Sequence, residues 1–162
     1  LLMTMKKDIH EEDLTAKEIV NTWEEETIAD IIFGFGEEKY SRRIAKAIVE
    51  ARKNKKIETT FDLNEIIEKS IGKFYKGKKI HPSTKTFQAL RIATNSELYN
   101  LEQVIQKGFD RLKSKGRIAI ITFHSLEDRI VKKAFVKLKI NSAVDDTFGL
   151  LIITSQNDSG SK

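Results

Sequence analysis

A short, unbroken apolar run sets the strongest limit on what this chain can fold into. Arg117-Ile118-Ala119-Ile120-Ile121-Thr122-Phe123 lacks the alternation of a one-faced strand and is too short for a helix. Such a run is expected to form a strand buried on both faces of a parallel sheet. Gly116 stands before it, His124 and Ser125 follow it, and Leu126–Leu138 returns to helical spacing through Ile130, Val131, Ala134 and Leu138. Helix, glycine, buried strand, tight turn and helix is the order of an α/β fold. Gly149–Thr154 reads as one more strand. Two strands are too few for a covered parallel sheet, so the α/β part is expected to be the end of something larger.

Upstream of Gly116 the apolar residues recur at helical spacing. Thr15 with Glu18 and Thr22 with Glu25 both fit the capping box, in which side chains satisfy the free N–H groups of a helix start. The second of these helices carries Trp23, Ile28, Ile31 and Ile32 and is expected to end at Gly34 and Gly36. Another begins near Glu37, with Tyr40, Ile44, Ala47, Ile48 and Ala51 on one face, and a shorter one covers about Asp62–Ile71. Gly72–Ile80 has no period and reads as a loop closed by His81-Pro82. Pro82, the single proline, suits the first turn of a helix. One long helix is expected from Ser83 to about Lys113, with Thr94-Asn95-Ser96 the place where it would bend. Ser155–Lys162 is polar and reads as a loose tail.

The 162 residues are 40% hydrophobic, enough for one ordinary domain or two small ones. The absence of cysteine excludes a disulfide framework and any thiolate metal site. No apolar run approaches the roughly 20 residues that span a bilayer, and Leu1–Met5 is too short for a signal-peptide core. A soluble, cytoplasmic protein with no membrane partner is expected. The net charge of +5 is unevenly spread. Residues 11–30 carry eight acids and only Lys17, residues 39–56 eight bases and only Glu50, and residues 69–85 six lysines and no acid. A basic side of this kind suits a polyanion, and it equally suits a pair of solvated helix faces.

In open α/β sheets, ligands bind beyond the carboxyl ends of the strands. His124 and Ser125 stand at such an end, with Glu127, Asp128 and Arg129 in the next turn. Against a functional reading, Ser125 could serve only as an N-cap and Asp128 only as a partner of the helix dipole. His81 and Thr84-Lys85-Thr86 open the long helix, where hydroxyls, a lysine and free N–H groups could hold a phosphate or simply cap the helix. Gln88 and Arg91 lie within two turns of them. Gly34-Phe35-Gly36 follows no strand, so it is no nucleotide fingerprint. His10, His81 and His124 lack metal-ligand spacing, so no metal is expected.

Four segments together do more than fit a grammar. Phe35-Gly36-Glu37-Glu38-Lys39-Tyr40-Ser41-Arg42-Arg43-Ile44-Ala45-Lys46-Ala47-Ile48 comes first. His81-Pro82-Ser83-Thr84-Lys85-Thr86-Phe87-Gln88-Ala89-Leu90-Arg91-Ile92, Asn95-Ser96-Glu97-Leu98 and Phe123-His124-Ser125-Leu126-Glu127-Asp128-Arg129-Ile130-Val131-Lys132 follow in that order. They resemble the MraW family, the ribosomal RNA small subunit methyltransferases H, which methylate the exocyclic N4 of one cytidine in small-subunit (16S) ribosomal RNA. The resemblance runs from about Gly36 to Lys137.

It implies a Rossmann-like methyltransferase domain carrying a helical insertion that helps hold RNA. On that plan residues 1–13 are a remnant of the preceding methyltransferase segment, 14–80 the helical insertion, 81–154 the C-terminal part of the sheet domain and 155–162 the tail. The implied partners are small-subunit RNA or the assembled subunit, and a missing N-terminal half. The implied RNA contacts are His81, Thr84, Lys85, Thr86, Gln88, Arg91, Ser125, Asp128 and Arg129, with Arg42 and Arg43 from the insertion. His124 is the candidate catalytic group, as a contact to the base or a proton relay. The family's cofactor is S-adenosylmethionine, and its glycine-rich loop, acidic residues and Asp-Leu-Gly segment have no counterpart in this chain. The family's Leu-Asp-Met-Arg-Met survives only as Leu1-Leu2-Met3-Thr4-Met5, and its closing Asn-Pro-Arg-Ala-Arg-Ser segment is missing. Two other readings stay open: a non-catalytic RNA-binding module and a truncated product without function.

Overall fold

A computed structural model describes residues 1–8, 10, 13–113, 116–141 and 150–154, with residues 139–141 and 150–154 described for their backbone. The expected tail, 155–162, lies outside the described residues. The chain forms two compact units, Leu1–Ser96 and Glu97–Lys162. Its described residues are mostly helical, and none of their helices is long and apolar enough to cross a membrane.

The first unit is all helical: α1 (Ala16–Thr22), α2 (Glu25–Gly36), α3 (Ser41–Asn54), α4 (Thr60–Ile71), a 3-10 turn at Gly72–Tyr75, and α5 (Thr84–Asn95). Helices α2, α3 and α5 pack about a core that includes Ile28, Ile32, Ile44, Ile48, Ala89 and Leu90, all fully buried. Thr15 caps α1 as expected, its hydroxyl accepting the Glu18 N–H. Thr22 does not cap. It lies inside α1 with its hydroxyl donated to Glu18 O, and α2 starts after Glu24 with no side-chain cap. The full capping box is at Thr59 and Asp62 instead, so α4 begins at Thr60. The Thr59 hydroxyl and N–H both donate to the Asp62 carboxylate and hold its pKa below the usual range.

The α2–α5 contact explains two glycines. Gly34 lies inside α2 with open space around it, whereas a Cβ on Gly36 would meet Lys85 O at 2.5 Å. Gly36 is therefore a close-approach residue. Glu37 supplies the left-handed turn that ends the helix, with φ 49°. The next helix starts at Ser41, later than the expected Glu37, because Glu37–Tyr40 are spent on that turn. There the buried Glu38 accepts the Tyr40 N–H (2.8 Å) and the Tyr75 hydroxyl. Burial, reinforced by Glu38, pushes the Tyr75 phenol well above its usual pKa. The expected loop at Gly72–Ile80 is thus partly ordered by a buried tyrosine.

Pro82 precedes α5 by one residue more than expected, with Ser83 between them. The long helix expected from Ser83 to Lys113 is two helices. Asn95 turns its side chain back, donating to Arg91 O (2.8 Å) and Met3 O (2.9 Å) and accepting the Met5 N–H (2.7 Å). Ser96 then adopts a left-handed conformation, φ 49°. Residues 1–5 are held to the helical unit by these bonds, and Leu1 and Leu2 carbonyls accept N–H groups from Lys17 and Ala16.

The second unit holds α6 (Glu97–Asp110), β1 (Ile118–Thr122), α7 (Ser125–Asn141) and β2 (Leu150–Thr154). The strands pair in parallel, Ile118 with Leu150 through Thr122 with Thr154, and α7 is the crossover between them. Ile105, Val131, Phe135 and Leu138 form the core, with Ile118 and Ile120 packed against it. The opposite face of β1 is open among the described residues: Ala119 is exposed and Ile121 is 57% exposed. The expectation of a strand buried on both faces is corrected, because α6 and α7 supply one covering layer only.

Two outcomes test this account by chemical denaturation. The Asn21 amide donates to Lys17 O and Ile57 O and accepts the Ile57 N–H, joining α1 to the α3–α4 connection. Asn21→Ala should cost about 2–3 kcal/mol, because the buried Ile57 backbone loses its partners. Gly36→Ala should cost about 1–3 kcal/mol through overpacking, whereas Gly34→Ala should stabilise by up to about 1 kcal/mol. Equal effects at the two glycines would refute the close-approach reading.

Candidate functional site

Strand β1 ends at buried Thr122, and the chain turns through Phe123 and His124 into α7. His124, and not Ser125, is the N-cap. Its carbonyl accepts the Asp128 N–H (3.1 Å) and its ring Nδ1 accepts the Glu127 N–H (3.4 Å). Glu127 reaches back and accepts the Phe123 N–H at 2.8 Å, so the turn is closed from both sides in the manner of a capping box. Ser125 becomes the first helical residue.

This cap constrains the histidine chemically. With Nδ1 accepting a backbone N–H, the neutral ring carries its proton on Nε2. Nε2 is buried, has no hydrogen-bond partner of good geometry, and lies 3.3 Å from Glu127 Oε1. A third group joins them: Glu97, at the start of α6, brings a carboxylate oxygen to the same place. One ligand atom from each of Glu97, His124 and Glu127 lies within 4.8 Å of the others. Two carboxylates beside the ring accept hydrogen bonds from a donor-rich group, such as an exocyclic amine. A metal cation would need the other histidine tautomer and the loss of the Glu127 N–H bond.

Sequence reading named His124 and missed Glu97. A helix and a strand separate them in the chain, and a glutamate in a helix first turn looks like an ordinary dipole partner. The only trace of it was its place in the Asn95-Ser96-Glu97-Leu98 segment. Asp128 is buried, with Oδ2 paired to Lys132 Nζ at 2.7 Å and Oδ1 buried without a hydrogen-bond partner. Arg129 is exposed in the same turn.

The remaining candidates belong to the helical unit, and several face inward. Lys85 Nζ donates to Glu37 O (2.8 Å) and Gln88 Nε2 to Phe35 O (3.3 Å), so both satisfy carbonyls at the C-terminal end of α2. Thr86 is fully buried, its hydroxyl without a partner. At Thr84-Lys85-Thr86 the α2–α5 contact takes Lys85 and buries Thr86, while Thr84 alone of the three is exposed. His81 Nε2 pairs with Glu68 (2.8 Å), and its Nδ1 accepts the Ser83 N–H (3.3 Å). Arg91 is half-buried. Arg42 and Arg43 are exposed in the first turn of α3, with the Arg43 guanidinium 5.2 Å from the Phe74 ring.

S-adenosylmethionine, the donor that the resemblance implies, is usually held where a glycine-rich turn after a strand lets backbone approach the ligand. The turn after β1 carries Phe123, His124 and Ser125, and Gly36 is filled by Lys85. The described residues do not fit the donor.

Comparison with known proteins places these observations. Residues 1–160 match the MraW methylase family. Three relatives bear the name ribosomal RNA small subunit methyltransferase H. The chain is 53% identical to that of Coprothermobacter proteolyticus over 125 residues, 77% of this chain and 41% of the relative. It is 55% identical to that of Rickettsia massiliae over 122 residues (75% and 39%) and 51% identical to that of Lachnospira eligens over 133 residues (82% and 42%). The chain thus spans about two-fifths of the length of the relatives it matches. With a match over nearly its whole length, this chain belongs to the MraW methylase family.

Proposed function

We propose that this chain supplies the acceptor side of an S-adenosylmethionine-dependent methyltransferase that modifies the N4 amine of a cytidine in small-subunit (16S) ribosomal RNA in the cytoplasm. The observation that carries the reading is the convergence of Glu97, His124 and Glu127 at the carboxyl end of β1. Two segments that resemble the family bring them there. The parallel β1–α7–β2 crossover supports the Rossmann-like assignment for residues 118–154 of the 81–154 segment, whose first helix, α5, packs in the helical unit. The helical packing of residues 14–80 supports their assignment as an RNA-holding insertion.

The N4 lone pair of cytosine is delocalised into the ring, so the amine is a poor nucleophile and must be held in place and relieved of a proton. The carboxylates of Glu97 and Glu127 accept hydrogen bonds from the amine N–H groups, and one of them takes the proton. His124 is a positioning residue. Its Nδ1 accepts the Glu127 N–H and so fixes the first turn that carries the Glu127 carboxylate. Ser125, Asp128 and Arg129 in the same unit, and His81, Thr84 and Arg91 in the helical unit, serve RNA contact. The donor is held by a segment of the family outside these residues. The misfit of the donor to this chain favours one second reading, an RNA-binding module without methyl chemistry.

Calorimetry with S-adenosylmethionine separates the two readings. The chain alone should bind none. Combined with the donor-binding segment of a family member, it should restore methyl incorporation into small-subunit RNA beyond what that segment achieves alone. In the combined system Glu97→Gln and Glu127→Gln should each lower incorporation by about 100-fold. His124→Asn, which keeps a capping acceptor, should retain more activity than His124→Ala. Unchanged incorporation in both glutamine variants would remove the proposed site, and RNA binding without restored incorporation would favour the module.

A further inference from the structure

In the helical unit, away from the carboxylate centre in sequence, a cleft of about 430 Å³ opens between α2 and the start of α3. Asp30 and Phe33 line it from α2, and Lys39, Arg42 and Arg43 from the other side. Phe33 is a large aromatic that the core leaves 63% exposed. Lys39, Arg42 and Arg43 make no ion pair among the described residues.

The surrounding surface repeats this chemistry. Tyr40 stacks on Phe74 with ring centroids 4.7 Å apart and planes 20° from parallel. Cations stand over these rings: Lys39 Nζ is 5.0 Å from Tyr40, Arg43 Cζ and Lys73 Nζ are each 5.2 Å from Phe74, and Lys78 Nζ is 4.4 Å from Tyr75. An exposed aromatic face among unneutralised cations is how proteins take single-stranded nucleic acid, stacking a base and tracking the phosphates. The rings over which the cations stand are already covered, so Phe33 is the face left for a base.

Asp30 decides between polyanions. A carboxylate inside the cleft repels a phosphate or an anionic lipid headgroup, yet it accepts hydrogen bonds from the amino edge of a base. The arrangement therefore suits a base in the cleft and phosphates at its rim. A duplex keeps its bases stacked and cannot offer this.

We propose that the Asp30–Phe33–Arg42–Arg43 cleft holds one unstacked base of single-stranded RNA, with Lys39 and the arginines on the flanking phosphates. The proposal rests on the reading of the substrate as RNA, but it concerns docking and not methyl transfer.

Fluorescence anisotropy of the whole chain with a labelled 12-nucleotide single-stranded oligoribonucleotide of mixed sequence tests it. The single strand should bind more tightly than the same sequence as a duplex. Phe33→Ala should weaken single-strand binding about 10-fold. Phe61→Ala, which removes an aromatic that is 84% exposed on α4, should leave it unchanged. Arg42→Gln and Arg43→Gln should each flatten the salt dependence by roughly 0.7 in log–log slope. Asp30→Asn should reduce any preference for oligocytidylate over oligouridylate. Equal loss in Phe33→Ala and Phe61→Ala, equal binding of duplex and single strand, or no RNA binding by the chain would each overturn the proposal. Because the readout is RNA affinity, failed methyl incorporation with Phe33-dependent binding would sink the methyl-transfer reading alone, and the reverse pattern would sink this one.

Discussion

The helix ends are the constraint on which this structure depends. Each helix leaves N–H groups at one end and carbonyls at the other without intrahelical partners, and a short chain of packed helices must satisfy them from elsewhere. Here the partners come both from distant segments and from the turn itself. Leu1 and Leu2 carbonyls meet the start of α1, and Lys85 and Gln88 serve the end of α2. The His124 ring and the Glu127 carboxylate close the turn into α7. These bonds set helix lengths and join segments that the hydrophobic pattern alone would leave unregistered.

The same constraint shapes the candidate site. Capping α7 with a histidine ring ties up Nδ1 and leaves Nε2 buried 3.3 Å from a Glu127 carboxylate oxygen. Glu97 brings a second carboxylate oxygen to the same place. The helical unit solves a different problem. Lys85 and Thr86 are absorbed by packing, while Phe33, Arg42 and Arg43 remain exposed.

Much of this was legible in the sequence. The helical spacing of Ile44 and Ile48, the Thr15 cap, the break in grammar near Gly116 and the two strands are local matters of periodicity and turn chemistry. The misreadings have physical causes. Thr22 has the capping spacing but sits within α1, where its hydroxyl returns to Glu18. The long helix breaks at Ser96 because Asn95 finds partners in Met3 and Met5, far away in the chain. Gly36 looks like a terminator and is a contact residue, which only the approach of Lys85 reveals.

The sequence by itself determined the helix-rich composition of the chain, its basic side, its apolar strand and, through its shared segments, its family. Those properties depend on residue type and short-range order. Only the tertiary structure decided that Glu97 joins His124 and Glu127, that the His124 ring caps α7, and that Lys85 and Thr86 turn inward. The first and last of these depend on hydrogen bonds and packing between residues far apart in the chain, and neither composition nor spacing encodes which distant donor meets which acceptor.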